Sequence, residues 1–289
     1  MIRSMLYVPA SSERFIAKAH ERGADAIILD LEDSVAPNEK EKARAGLTKT
    51  VPAVSCNGAT VFVRINSEVE MIFADAEAAC RAGAFGVFVP KANAHMLESL
   101  DTQLRRVEDA IARREKTAFV PMIEDPAAVL DARAIATATS RVFGLITGSE
   151  DLATAMDAVP IPEVLRFPKL MVHMAAKAAG VYSFGLLRSV ADYQDLDAVE
   201  KSAREARSLG FDGATCVHPR VVPVLNEAFS PSAEEIARAT RLVAAYEASV
   251  AAGAGACVFE GKMIDVPVVN RAKAVLARQS GQQKLSHPV

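Results

Sequence analysis

Eight short runs of apolar and β-branched residues recur along the chain, and stretches with helical periodicity separate them. We predict strands at residues 4–9, 26–33, 60–66, 86–91, 118–125, 142–148, 181–187 and 214–219, with starts 22 to 39 residues apart. Each interval has room for one helix and two loops. Strands that are apolar almost throughout are typical of a parallel sheet covered on both faces.

Eight strand–helix units predict a (β/α)8 TIM barrel. A doubly wound open sheet is the alternative, but it usually has fewer strands, and its nucleotide sites carry a glycine fingerprint that this sequence lacks. The glycine cluster GAGA at 253–256 follows a predicted helix and indicates a hinge. We therefore predict a catalytic barrel domain at 1–230. A C-terminal helix and tail at 231–289 would pack outside the barrel or contribute to a neighbouring subunit's site.

Composition and charge exclude several classes of protein. Of 289 residues, 51% are hydrophobic and 24% are charged, and the net charge is -3. Nucleic acids and anionic membranes bind basic surfaces, so neither is an expected partner. The four cysteines form no CxxC pair, which indicates reduced thiols. Because no apolar run is long enough for a signal peptide or a membrane span, we expect a cytoplasmic protein.

Charged side chains end nearly every predicted strand. In a barrel these ends and the loops after them build the active site, at a mouth about 15 Å across. Carboxylates gathered so closely repel one another unless a cation lies among them. Without a His pair or Cys cluster, they favour Mg2+, or Mn2+, while the cationic side chains would hold an anionic substrate. The residues are Asp30, Glu32, Asp33, Arg64, Asn66, Lys91, Glu124, Asp125, Glu150, Asp151, Arg188 and His218.

Several of these residues have other interpretations. Glu124 and Asp151 are alternatively helix N-caps or acids at the rim. Lys91 raises the possibility of Schiff-base chemistry, although a lysine paired with acids stays protonated. We expect His218 to be a hydrogen-bonded core histidine, and the role of Arg188 stays open.

Seven segments carry a family resemblance nearly from end to end. They are LYVPASSERF, ADAIILDLEDSV followed by Lys40 and Arg44, VFVRIN, VPMIED, GSEDLA, LGFDGATCVHP and GKMIDVPVV. Together they resemble the citrate lyase β-subunit-like branch of the HpcH/HpaI aldolase superfamily, close to citramalyl-CoA and malyl-CoA lyases. The resemblance implies a Mg2+-dependent barrel that cleaves or forms a C–C bond between a 2-oxo acid and an acetyl thioester.

The resemblance also implies a set of ligands. Glu124 and Asp151 would be the two direct metal ligands, and Arg64 would grip the substrate carboxylate and oxygen with its planar fork. The acids of DLEDSV would bind metal waters or orient Arg64, with Glu32 and Asp33 as the favoured pair.

The CoA arm of the substrate and the C-terminal tail complete the implied site. Lys40 and Arg44 would meet the CoA phosphates. Asp265 in GKMID would reach the neighbouring subunit's site as an acid/base, which implies a stand-alone homo-oligomer, either a trimer or a hexamer built from two trimers. Asp265 is alternatively a surface residue of a loose tail. Asp125 stands where the family often has threonine, and this additional carboxylate could alter metal binding or substrate choice.

The predicted reaction is retro-Claisen cleavage of a 3-hydroxyacyl-CoA of the citramalyl-CoA or malyl-CoA type into a 2-oxo acid and acetyl-CoA. Three alternatives stay open: a metal-dependent aldolase for free hydroxy-oxo acids, a malyl-CoA thioesterase and a non-catalytic citrate-lyase-like subunit. The sequence does not identify the acyl group of the substrate. A pocket discriminates one methyl group by only ~1–3 kcal/mol, and the residues that provide this difference have no recognisable sequence pattern.

Overall fold

The eight predicted strands form one parallel sheet in the computed structural model, which describes residues 1–279. The strands are β1 (Ser4–Pro9), β2 (Ala26–Asp30), β3 (Thr60–Arg64), β4 (Gly86–Val89), β5 (Ala118–Ile123), β6 (Gly144–Thr147), β7 (Tyr182–Phe184) and β8 (Ala214–Cys216). Their order in the sheet is β7-β6-β5-β4-β3-β2-β1-β8, and a parallel bridge between Phe184 and Gly213 brings the two ends together. The TIM-barrel prediction is confirmed.

Helices alternate with the strands. They are α1 (Glu13–Ala19), α2 (Lys40–Ser55), α3 (Val69–Arg81), α4 (Ala94–Ala110), α5 (Pro126–Leu130), α6 (Ala132–Ala136), α7 (Ser149–Ala155), α8 (Pro162–Ala179), α9 (Leu196–Ser208) and α10 (Val221–Ala228), with a 3-10 turn at Pro37–Glu39. Helices α4 and α9 match the amphipathic pattern of the sequence. Within residues 1–279, no helix has both the length and the apolar run that crossing a bilayer requires.

Most strands end two or three residues earlier than predicted. β2 ends at Asp30 instead of residue 33, and β3 ends at Arg64 instead of residue 66. The end of β2 has a local cause, because the backbone N–H groups of Glu32 and Ser34 donate to the Asp30 carboxylate at 3.0 and 3.1 Å. These bonds turn the chain away from the sheet. The acids after Asp30 therefore lie on a loop at the mouth.

The barrel interior changes from aromatic to charged along the strands. Phe62 lies in an aromatic cluster, with ring centroids 5.4 Å from Phe88 and 6.1 Å from Phe143. Residues two apart on a strand share a face, so Arg64 lies one layer above Phe62. The parallel register pairs Asp30 with Arg64. Two strands thus place opposite charges side by side at the mouth.

A second layer of apolar residues fills the space between strands and helices. It includes Leu29 and Val63 from the strands and Leu47 and Leu97 from the helices, all fully buried. Burial of such side chains contributes ~1.5–3 kcal/mol each. This layer holds the strands rigidly and leaves the mouth to the polar loops.

A charged network is buried beside this apolar layer, between α4 and the strands. Arg141 is 0% exposed and donates to Asp101 at 2.5 Å and to both carboxylate oxygens of Glu108 at 2.7 Å. Arg105 also donates to Asp101, at 2.7 Å. Hydrogen bonds with the arginines hold the pKa values of Asp101 and Glu108 below their ordinary values, although burial alone would raise them.

The chain from Ser230 forms a second compact unit, separate from Ile2–Phe229. Its elements are α11 (Ala233–Ala251), β9 (Cys257–Phe259), β10 (Lys262–Ile264) and α12 (Val266–Gln279). The hairpin turn has positive φ at Glu260 (48°) and Gly261 (75°), as a two-residue turn requires. Residues 280–289 of the predicted tail lie outside the described residues.

Candidate active site

A cavity of about 360 Å³ opens at the carboxyl ends of the strands. Its lining combines a charged group with an apolar wall. The charged residues are Asp30, Asp33, Arg64, Glu124, Glu150 and Asp151, and the apolar wall includes Tyr7, Met122, Ile146, Val190 and Val217. A concave cavity with an apolar wall and a few convergent polar groups is typical of a small-molecule site, and the surplus of carboxylates here favours a bound cation.

Arg64 is the centre of the charged group. Its Nε and Nη2 donate to the two oxygens of Asp30, both at 2.7 Å, in a bidentate pair. Its Nη1 lies 2.8 Å from both Glu32 Oε2 and Asp33 Oδ2. The guanidinium also lies over the Tyr7 ring, 5.0 Å from the centroid. The sequence favoured Glu32 and Asp33 as its partners, whereas the structure adds Asp30 as the partner with two bonds.

Asp30 and Glu32 both lie beside Arg64, but their pKa values are shifted in opposite directions. Burial alone would raise the pKa of Asp30, but the hydrogen bonds and charge of Arg64 hold it below its ordinary value. Burial raises the pKa of Glu32 to about 8, because the nearby charges of Asp33, Glu124 and Asp30 add to the effect of burial and outweigh Arg64. Asp30 therefore neutralises Arg64, and Glu32 is a carboxyl without a full counter-charge.

Glu124 is only 5% exposed and is fixed from two sides. Its Oε2 accepts a 2.7 Å hydrogen bond from the backbone N–H of Lys91, which adopts a left-handed φ of 47°. Gly148 packs against its other oxygen, since a Cβ there would lie 2.4 Å from Glu124 Oε1. Burial, with the charge of Asp151, raises the pKa of Glu124 to about 7. Arg64 and Lys91 offset this shift only in part, so the site holds a second carboxyl without a full counter-charge.

Asp151 lies in the first turn of α7, immediately after Gly148 and β6, with its side chain exposed. The preceding residue, Glu150, accepts a short hydrogen bond from Ser189 Oγ. Glu124 and Asp151 line the same cavity as Arg64. The structure therefore brings together both predicted metal ligands and the predicted substrate-binding arginine.

The donor set at this mouth fits a hard divalent cation. Among residues 1–279, no three His, Cys, Asp or Glu side chains are arranged to hold a metal by themselves. Mg2+ does not need such a cage, because it keeps several waters and binds through one or two carboxylates. Glu124 and Asp151 supply that number. Burial, with a smaller effect of the neighbouring acids, raises the pKa values of Glu32 and Glu124, and a cation bound beside them would favour their ionised forms.

Lys40 and Arg44 lie on α2 and belong to a separate polar network. Lys40 Nζ donates to Asn66 Oδ1, and Arg44 Nε donates to Asp75 Oδ1 at 2.5 Å. Asp75 is fully buried and accepts from the Asn66 backbone N–H at 2.9 Å. The two predicted CoA contacts are thus joined to each other through Asn66 and Asp75, outside the cavity lining.

Other strand-end residues have local structural partners. Asp125 caps α5, accepting the Ala128 N–H at 2.9 Å. The His218 ring stacks on Tyr193 at 5.1 Å, and its Nδ1 accepts the Arg220 N–H at 3.2 Å. The side chain of Lys91 is exposed, and the residue contributes its backbone N–H and its positive charge to Glu124, both of which act to lower the pKa of that carboxyl.

Arg188 and Asp265 complete the predicted set. The Nη2 of Arg188 lies 3.4 Å from Asp192, and its buried Nε has no hydrogen-bond partner within the described residues. Asp265 belongs to the second compact unit, at the start of α12, where its backbone carbonyl accepts from Val268 and Val269, both at 3.1 Å. Its side chain is exposed.

Sequence reasoning did not assign site roles to Tyr7 or Gly148. Tyr7 lies two residues before the end of β1, whose last residue, Pro9, pairs with Asp30. Burial raises the pKa of Tyr7 well above its ordinary value, so its hydroxyl stays protonated. Tyr7 could have been found from the sequence, because it is a polar residue within the apolar run that ends β1. The contact between Gly148 and Glu124 joins two strands and has no local signature.

Comparison with known proteins adds independent information. Residues 3–219 match the model of the HpcH/HpaI aldolase/citrate lyase family. The citrate lyase subunit beta of Escherichia coli K12 is 33% identical over 281 residues, which cover 96% of this chain and 92% of that protein. A (3S)-malyl-CoA thioesterase of Cereibacter sphaeroides is 32% identical over 278 residues, covering 96% and 94% of the two chains.

A solved structure agrees over nearly the whole chain. It is that of CitE from Mycobacterium tuberculosis in complex with magnesium, acetoacetate and coenzyme A. It superposes with a TM-score of 0.78 at 30% identity and covers 96% of this chain and 97% of that one. The barrel, the motifs at its mouth and these matches lead to one conclusion: the chain belongs to the HpcH/HpaI aldolase/citrate lyase family.

Proposed function

We propose that this protein is a Mg2+-dependent carbon–carbon lyase. It cleaves a 3-hydroxyacyl-CoA of the citramalyl-CoA or malyl-CoA type into a 2-oxo acid and acetyl-CoA. The observation that carries the proposal is the common cavity of Glu124, Asp151 and Arg64, in which more carboxylates than cations lie around a fixed arginine. The M. tuberculosis CitE complex with magnesium, acetoacetate and coenzyme A supports the choice of cofactor and substrate class.

Arg64 binds the carboxylate of the 2-oxo-acid half of the substrate. Its bidentate pair with Asp30 fixes the plane of the guanidinium. The contacts of Nη1 involve the exposed Asp33 and Glu32, whose raised pKa favours the neutral form. Those two contacts exchange readily for substrate oxygens, whereas the Asp30 pair stays.

Glu124 and Asp151 would hold the metal. When bound there, Mg2+ supplies Lewis-acid polarisation of the hydroxyl and carboxylate oxygens of the substrate. Glu32 would favour its ionised form beside a cation held by Glu124 and Asp151. Glu32 and Asp33, which lie beside Arg64, would then be the carboxylates suited to take the proton of the substrate hydroxyl. The C2–C3 bond then breaks, the hydroxyl carbon becomes the carbonyl of the 2-oxo acid, and the electron pair passes into a thioester enolate. Arg64 stabilises the negative charge at the carboxylate end.

Asp265 protonates the enolate carbon, which gives acetyl-CoA and balances the proton taken from the hydroxyl. We propose that it does so in the site of a neighbouring subunit, in a homotrimer or a hexamer built from two trimers. In support, Asp265 is exposed and lies between Met263, 73% exposed, and Val266, 53% exposed. Met263 also pairs with Val258, 76% exposed, on one face of the hairpin, and adjacent exposed apolar side chains favour a protein partner.

Lys40 and Arg44 bind the CoA phosphates in this proposal. Both carry positive charge on α2, the helix that follows the DLEDSV loop. Their present partners, Asn66 and Asp75, hold them side by side. No nucleic acid or membrane is needed, and we place the reaction in the cytoplasm.

Thioester hydrolysis is the second candidate, because relatives 32% identical to this chain are named (3S)-malyl-CoA thioesterases. The same residues would bind the substrate. Water would attack the thioester carbonyl, the C–S bond would break, and malate and free CoA would leave.

The test is turnover of (S)-citramalyl-CoA, (S)-malyl-CoA and free citrate with Mg2+, with EDTA and Glu124→Gln as controls. Pyruvate or glyoxylate together with acetyl-CoA, lost in both controls, supports the lyase. Malate with free CoA and no glyoxylate supports the thioesterase. Oxaloacetate from free citrate alone indicates an aldolase for free acids, and silence with all substrates despite bound Mg2+ favours a non-catalytic subunit.

A further inference from the structure

A lysine is buried inside α8, on the side of the barrel next to β7. Lys169 is 4% exposed, and its Nζ donates to the backbone carbonyls of Leu186 at 2.7 Å and Arg188 at 2.9 Å. Both carbonyls belong to residues 185–190, which follow β7 and which we name the β7 turn. The ammonium group therefore ties the turn to a helix behind the sheet.

The β7 turn reaches the candidate active site through its next residues. Ser189 is 3% exposed, and its Oγ donates to Glu150, the neighbour of Asp151. Val190 lines the cavity. One turn thus supplies a wall of the cavity and a hydrogen bond to the segment that carries a proposed metal ligand.

A lysine is a costly residue for this position. Taking an ammonium group out of water is unfavourable, and burial lowers the pKa of Lys169 to about 7, with only the charge of Glu150 acting against the shift. An apolar side chain of similar volume would fill the same space at lower cost. The two bonds to the β7 turn are the feature that such a side chain could not supply.

We propose that Lys169 is a positioning residue: through the carbonyls of Leu186 and Arg188 it fixes the β7 turn, so that Val190 forms the wall beside the acyl group and Ser189 holds Glu150 beside Asp151. The inference rests on the proposed function, because the acyl group is that of the thioester substrate. The citramalyl and malyl substrates differ by one methyl group, and an apolar wall of this kind changes kcat/KM by about 10–200-fold between two such substrates.

The test is Lys169→Met, with Lys177→Met as a matched control. Lys177 lies on the same helix, but its Nζ bonds with Asp212. Hydrogen exchange of peptides covering residues 185–193 reports on the turn without any substrate. We expect faster exchange in Lys169→Met and wild-type exchange in Lys177→Met. We also expect kcat/KM to fall by about 10–100-fold and the preference between the two thioesters to shrink.

Ser189→Ala provides a second route to the same turn if Lys169→Met does not fold. It removes the bond to Glu150 and leaves Lys169 in place. Ser189→Ala alone should weaken Mg2+ binding, because Glu150 loses the bond that holds it beside Asp151. Where Lys169→Met also folds and both residues act through one turn, the double variant should lose little more kcat/KM than the worse single variant.

The outcomes separate this inference from the proposed function. If the wild type turns over neither thioester, the proposed function fails, and exchange of the turn together with the Mg2+ dissociation constant still decides the role of Lys169. Faster exchange with weaker Mg2+ binding supports positioning. The proposal would be overturned if Lys169→Met lowered the melting temperature but left the hydrogen exchange of the β7 turn, the substrate preference and the Mg2+ affinity as in the wild type.

Discussion

The arginine–carboxylate clusters around Arg141 and Arg64 are both largely buried, but they differ in charge balance. Around Arg141, the cations Arg141 and Arg105 face Asp101 and Glu108, and both acids have pKa values below their ordinary values. At the mouth, the acids that act on one another outnumber the cations. They are Asp30, Glu32, Asp33, Glu124 and Asp151, and their counter-charges are Arg64 and Lys91.

The difference separates a structural network from a functional one. The Arg141 cluster is satisfied by protein groups alone and holds α4 against the strands. At the mouth, the cations offset only part of the negative charge. Burial and the neighbouring acids therefore raise the pKa of Glu32 to about 8 and that of Glu124 to about 7. Perturbed carboxyls in a cavity are typical of sites that bind a cation or transfer protons.

Matched substitutions of the two arginines should produce the largest contrast. Arg64→Met should lower kcat/KM by about 10³-fold or more, because the substrate carboxylate loses the guanidinium that binds it, and it should also lower the free energy of unfolding, because buried Asp30 loses its counter-charge. Arg141→Met should lower the free energy of unfolding by ~3–5 kcal/mol, because two buried acids lose their counter-charge, with little change in kcat. Steady-state kinetics and urea unfolding measure both effects. A similar loss of kcat/KM in the two variants would contradict the division into a functional cluster around Arg64 and a structural cluster around Arg141.

Substitution of Gly148 should affect the mouth alone. A Cβ would lie 2.4 Å from Glu124 Oε1, so Gly148→Ala must displace a proposed metal ligand. We expect the Mg2+ affinity to fall by about 10–100-fold, which is the usual loss when the groups that orient a metal ligand are changed. Gly46→Ala is the control, because a Cβ at this α2 position meets nothing within 4 Å and should stabilise the helix by up to ~1 kcal/mol. Wild-type Mg2+ affinity in Gly148→Ala would contradict the assignment of Glu124.

The pH dependence of stability should follow the surplus of acids at the mouth. With raised pKa values, Glu32 and Glu124 bind more protons in the folded than in the unfolded state between about pH 4.5 and pH 8. Without metal, their contribution to the free energy of unfolding therefore falls as the pH rises through this interval. Urea unfolding in EDTA should show that fall, and saturating Mg2+ should reverse it. A Glu32→Gln, Glu124→Gln double variant should have a flatter profile; an unchanged slope would show that other groups cause it.

Asp125 should give the smallest effect. Its carboxylate caps α5, so Asp125→Ala should cost ~0.5–2 kcal/mol of stability, and Asp125→Asn, which keeps the cap, only a few tenths. Neither should change the Mg2+ dissociation constant measured by titration. Weaker Mg2+ binding in Asp125→Asn would bring this residue into the metal site.

The sequence predicted the strand order and most residues at the mouth, because apolar runs ending in charge are a local pattern. It did not predict where those strands end, since local hydrogen bonds to Asp30 decide the end of β2. It also missed the bidentate role of Asp30, which depends on the register between β2 and β3. The contacts of Lys169 and Gly148 join distant parts of the chain and leave no pattern in either segment.

Calorimetric titration of the metal-free protein with Mg2+ at pH 7, in two buffers of different ionisation enthalpy, tests the central claim most directly. Binding of a cation beside Glu32 and Glu124 should release protons, because their pKa values lie near 7 to 8 without it. We predict one Mg2+ per chain with proton release, both abolished by Glu124→Gln and retained in Asp125→Asn. Absence of binding, or binding that survives Glu124→Gln unchanged, would contradict the account of the mouth as a metal site.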